Sequence, residues 1–81
     1  ITEDHRKSLV KDIAKMAEES KVAIRSIRRD SIDKLKKMKK DSLITEDDLS
    51  QAEKRVQDLT DKFCVQIDEL SSKKQKEIME I

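Results

Sequence analysis

Three arginines, Arg25, Arg28 and Arg29, fall within about one helical turn of one another in the stretch KVAIRSIRRDSID, Lys21 to Asp33. A guanidinium is planar, permanently charged and carries its donors in a fork that matches two phosphate oxygens. Such a cluster is built to grip a polyanion rather than to move protons. Lysine dominates the other basic segments of the same half of the chain, and arginine takes over only at this turn. At roughly 100° per residue, Lys7, Lys11, Lys15, Lys36 and Lys40 join Arg25 and Arg29 on one side of a helix, with Arg28 and Lys21 on its flank. A basic stripe on a stiff rod fits a phosphate backbone, because each Lys or Arg that neutralises a phosphate releases counterions. The stripe also has a simpler use as a solvated face. Asp4, Glu18 and Asp33 share it, and Asp30 and Asp33 can pair with neighbouring bases along the helix. The concentration of arginine is what favours the first use.

Other reactive side chains carry less. His5 stands near a helix start, without Cys or His companions at ligand spacing, and reads as a surface residue rather than a metal ligand. Cys64 has no histidine close in sequence and lies on an apolar shoulder, where it reads as a small hydrophobe. Glu46-Asp47-Asp48 complements a helix dipole, and neither it nor Asp68-Glu69 has the alternation and glycine of a calcium loop. A glycine-rich phosphate loop is impossible in a chain without glycine. The expectation is a binding protein with no catalytic residues, no metal, no cofactor and no small-molecule substrate.

The elements that must position the arginines follow from composition. The 81 residues include neither Gly nor Pro, a single aromatic residue (Phe63), and 46% charged side chains. Without residues that readily supply positive φ or break a helix, long uninterrupted helices are favoured over strands and turns. The two charge signs nearly balance, at 19 Lys+Arg against 18 Asp+Glu, and the apolar residues are periodic, which argues against disorder. The tetrapeptide ITED occurs at Ile1 and again at Ile44, each time offering a threonine cap and acids for the first turn; Leu49 completes a hydrophobic staple with Ile44 at the second. The pattern predicts an all-α fold: a helix over about 3–40, a short loop over about 41–45 and a helix over about 46–79. A loop this short forces an antiparallel hairpin of two long helices.

A hairpin needs only a narrow apolar seam, and both stripes are wider than that. On the first helix the arc runs from Ala23 through Ile27, Ile24 and Val10 to Ile32; on the second, Thr60, Cys64 and Ile78 add a shoulder to a stripe of Leu49, Val56, Leu59, Phe63, Ile67 and Leu70. Each helix therefore has surface for two neighbours, which predicts a third helix not in this chain, and residues 1–81 as part of a helical domain. No apolar run reaches membrane-spanning length and no basic-then-apolar leader opens the chain, so it reads as soluble and unexported. Charge is divided between the halves. Residues 1–41 hold 13 Lys+Arg against 8 Asp+Glu, net +5, and residues 42–81 hold 6 against 10, net −4, so the first half is the one for anions.

The run KVAIRSIRRDSIDKLKK, the ITEDDL start, VQDLTDKF and the closing KEIMEI resemble the C-terminal helical part of a ribosome recycling factor, and TEDHRKSLV resembles the segment where such a chain returns to its helical domain. The likeness runs from Ile1 to Ile81 without an insertion; Ser26 and Ser31 depart mildly from the family's usual residues. The resemblance implies a three-helix bundle whose first helix, together with a β-rich second domain, lies outside this chain. It implies a factor that acts after termination with elongation factor G to split the ribosomal subunits. By position it implies that Arg25, Arg28 and Arg29 contact large-subunit ribosomal RNA. The compartment implied is a bacterial cytoplasm, or a plastid or mitochondrion with bacterial-type ribosomes. A rival reading is an adaptor coiled-coil hairpin that docks a partner's helix on the shoulder formed by Val10, Ile32, Cys64 and Ile78.

Overall fold

Two threonines set where the helices begin. In the computed structural model, which describes residues 2–81, Thr2 holds an extended backbone and its hydroxyl accepts from the His5 N–H at 3.1 Å, opening α1 (Glu3–Lys40). Ile1, the first residue of the expected start, lies outside the described residues. Thr45 opens α2 (Glu46–Glu80) with a reciprocal pair. Its hydroxyl accepts from the Asp48 N–H, and the Asp48 carboxylate accepts from the Thr45 N–H, each at 3.1 Å. Acids in both first turns, Glu3 and Asp4, then Glu46, Asp47 and Asp48, complement the positive ends of the helix dipoles. Among the described residues there is no strand, and the two helices pack antiparallel as the expected all-α hairpin.

A chain without glycine still uses a left-handed residue: Ser42 sits at φ 60°. Its N–H donates to Lys39 O and the Leu43 N–H donates to Met38 O, both at 2.9 Å, satisfying two carbonyls that the helix end leaves open. This is the place where glycine is usual, and serine holds it at a steric cost of roughly 1–2 kcal/mol. The closed turn carries out the reversal of direction that the short loop predicts.

Register is visible in the ties between helices. Lys39 pairs with Glu46 beside the turn, Arg28 reaches Gln57, Lys21 reaches Asp68, and Arg6 donates to the Ile81 carbonyl at the far end. The rod measures 60 × 15 × 9 Å, and its radius of gyration of 18.3 Å far exceeds the ~12 Å of a compact domain this long. Two residues alone are buried among those described. Leu49, 8% exposed, sits just inside the α2 start, and Thr60 turns its hydroxyl to Val56 O at 2.8 Å, so its polar group is satisfied within its own helix.

The seam between the helices is not where the wheel centred it. Its least exposed positions include Val10, Ala17, Ile24, Ser31 and Leu35 on α1 and Val56, Thr60, Cys64, Ser71 and Ile78 on α2. The residues expected as a spare shoulder, Val10, Ile32, Cys64 and Ile78, are half-buried beside or within this contact. What lies open is the other edge of each arc: Met16, Ile27, Leu59, Phe63 and Leu70 are exposed, Ile27 at 64% and Phe63 at 48%. Small residues explain the choice, because Ala17, Ser31, Thr60 and Ser71 let the backbones approach where larger side chains would hold them apart. The open edges line two successive hollows on one side of the hairpin, one between Ile13 and Leu70 and the next between Ile24 and Phe63, which together make an apolar groove ending at Ser31 and Val56. At 1.5 Å per residue the stretch of α1 from Ile13 to Ser31 along it is roughly 27 Å. Among the described residues no helix is long and apolar enough to cross a membrane.

Candidate nucleic-acid interface

The middle of α1 carries the arginines on a straight, unbroken helix, so their relative positions are set by helical geometry alone. Ile24, next to them, faces α2 and half-buries, which fixes the rotation of this turn and leaves Arg25 and Arg29 exposed on the side away from the groove. Among the described residues neither Arg25 nor Arg29 takes part in an ion pair or a side-chain hydrogen bond. Asp30 and Asp33, which a solvated face would have paired with neighbouring bases, likewise form no such pair among the described residues. The two guanidiniums keep their full charge and donor capacity toward solvent.

Arg28 is placed differently. It is half-buried, it helps to line the groove, and its guanidinium Nη1 donates to Gln57 Oε1 on α2 at 3.1 Å. Its aliphatic stem thus lies against the seam while its charged end reaches toward α2, an arrangement long cationic side chains favour because stem and head prefer different surroundings. Gln57 in turn donates through Nε2 to Asp61 Oδ1 at 2.9 Å.

Lys21, assigned above to the flank of the basic stripe, is turned inward. Its side chain is 12% exposed, and its ammonium lies 2.8 Å from both Glu18 and Asp68. These partners raise its pKa, the hydrogen bond to Asp68 contributing most and that to Glu18 next. Two carboxylates neutralise it, so it adds nothing to the field of the basic side. Lys7, Lys11, Lys15, Lys36 and Lys40 are exposed along the rest of α1. Sequence reasoning missed Gln57 and Asp61 altogether. Only the antiparallel register brings them to the arginine turn, and the sole local hint was their spacing of four residues on one helix face.

His5 is exposed, with its backbone N–H bonded to the Thr2 cap, and Cys64 is a half-buried free thiol. Among the described residues no three His, Cys, Asp or Glu side chains gather where they could hold a metal ion. The arrangement presents positive charge and guanidinium donors along one side of the rod.

A family model described as Ribosome recycling factor matches residues 1–79. The chain is 60% identical over its 81 residues to a protein named Ribosome-recycling factor from Caldicellulosiruptor saccharolyticus, 57% identical to one so named from Acetivibrio thermocellus and 54% identical to one from Pelobacter propionicus. Each match takes in all of this chain and 44% of the relative, so the chain spans less than half the length of the curated relatives it matches.

Proposed function

Because this chain belongs to the ribosome recycling factor family, we propose that it is the ribosome-docking helical arm of such a factor, bound through Arg25, Arg28 and Arg29 to large-subunit ribosomal RNA. The observation that carries this reading is the arginine turn itself: two unengaged guanidiniums, Arg25 and Arg29, on the side of the rod away from the apolar groove, and a third, Arg28, in the same turn at the groove's edge, where it donates to Gln57. Acting with elongation factor G after termination, the factor would help to separate the subunits, and the rod's part is mechanical. It needs no catalytic group, metal or cofactor, only a stiff body that occupies space once its cationic turn has gripped the RNA. The compartment that goes with this reading is one holding bacterial-type ribosomes, whether a bacterial cytoplasm, a plastid or a mitochondrion. Residues 1–81 then form two helices of a three-helix bundle, and the groove is the seat of the first helix, which relatives more than twice as long have room to supply. The adaptor reading relied on a different surface, Val10, Ile32, Cys64 and Ile78, which are half-buried beside or within the seam and do not line the groove.

The test is binding of the intact factor to large ribosomal subunits across a range of salt concentrations. Arg25→Ala and Arg29→Ala should each weaken binding by about tenfold and reduce the slope of log affinity against log salt by about one. Circular dichroism should stay unchanged, since both side chains are exposed and unpaired. Unaltered affinity at every salt concentration would overturn the assignment.

A further inference from the structure

We infer that Gln57 is a positioning residue that holds the Arg28 guanidinium ready for RNA without cancelling its charge, an inference that rests on the docking reading above. Of the α1 cations that reach across to α2, the two in the middle of the rod, Lys21 and Arg28, are treated in opposite ways. Lys21 meets the carboxylates of Asp68 and Glu18, and its charge is neutralised. Arg28 meets an amide oxygen, which accepts one hydrogen bond at 3.1 Å and leaves the full positive charge and the remaining donors of the guanidinium for another partner. The amide cannot turn over freely. Its Nε2 donates to Asp61 Oδ1 at 2.9 Å, and because an ionised carboxylate only accepts, the nitrogen must face Asp61 and the oxygen must face Arg28. Asp61 thus orients Gln57, and Gln57 orients Arg28.

The benefit is entropic. An exposed arginine populates many rotamers and loses them on binding, whereas a tethered one has lost part of that freedom before the RNA arrives. A glutamate at position 57 would tether more strongly and yet spoil the site, since it would do to Arg28 what Asp68 does to Lys21. A merely structural link between helices has no reason to prefer the amide.

Two substitutions in the intact factor separate these possibilities, with affinity for purified large ribosomal subunits measured at several salt concentrations. Gln57→Met removes the tether and keeps a good helix former; it should weaken binding about three- to tenfold, leave the salt slope unchanged, and add nothing in an Arg28→Ala background. Gln57→Glu keeps an acceptor for Arg28 and sets a like charge against Asp61, a small cost in melting temperature; with the fold confirmed by circular dichroism it should weaken binding about tenfold and flatten the salt slope by about one, as though an arginine had been lost. If Gln57→Met is poorly folded, the Gln57→Glu variant still decides the matter. Wild-type affinity and slope in the glutamate variant would overturn the inference, as would an undiminished effect of Gln57→Met when Arg28 is alanine. Arg25→Ala serves as the control. If it weakens binding while both Gln57 variants bind normally, only the positioning role fails; if it too binds normally, the docking reading fails with it.

Discussion

At the scale of single residues, the basic stripe divides into cations that are used up within the hairpin and cations that are kept available. Lys21 belongs to the first group, and its raised pKa makes a pH prediction with a definite sign. In the unfolded chain Asp68 and Glu18 are no longer held beside it, so its pKa there falls back toward the ordinary 10.5. A cation whose folded pKa lies above its unfolded value contributes stability that is fully present below the unfolded pKa and is lost as pH rises through the folded one. The difference in thermal stability between the wild type and Lys21→Met should therefore be constant from neutral pH to about pH 10 and shrink above it. A difference that held undiminished as pH rose through the lysine range would contradict the pairing. Arg25 and Arg29 belong to the second group. Their spacing was legible in the sequence because a helix sets it; the withdrawal of Lys21 and the tethering of Arg28 were not, because both depend on residues of the other helix more than 25 positions away.

Among the elements, the ends of the helices are better specified than their middles. The Thr45 cap with Asp48 and the buried Leu49 behind it were readable as a short-range pattern, and Thr45→Ala should cost about 1 kcal/mol, measured by thermal or urea unfolding. The turn was less readable. A search for glycine finds nothing, yet Ser42 takes the left-handed position and both of its closing hydrogen bonds form. Ser42→Gly should raise stability by up to about 1 kcal/mol, the relief of a Cβ clash offset by a looser unfolded chain, while Ser42→Val should lower it by more than that. A glycine variant less stable than wild type would show that the serine side chain contributes something the backbone bonds do not.

The whole molecule is a long rod with one greasy side and one cationic side, and its stability is divided accordingly. In the 81-residue chain Leu49→Ala should cost about 2–3 kcal/mol because Leu49 is buried, whereas Phe63→Ala should cost less than about 1 kcal/mol because nearly half of that side chain is already in water. Within an intact three-helix bundle the order should change, with Phe63→Ala costing about 3 kcal/mol or more. Equal costs for Phe63→Ala in both settings would mean that nothing covers the groove. The sequence by itself determined that the chain is helical, where each helix starts, that a short connection folds them back antiparallel, and that three arginines share one turn, because caps, periodicity and helical spacing are local. It also determined that the apolar arcs are too wide for a pair. Tertiary structure alone decided which half of each arc meets the partner, and therefore which half is left as the groove. A helical wheel is blind to this, since both halves are equally apolar; the choice falls where small residues let two backbones come close and where side chains of the opposite helix stand within reach of Lys21 and Arg28.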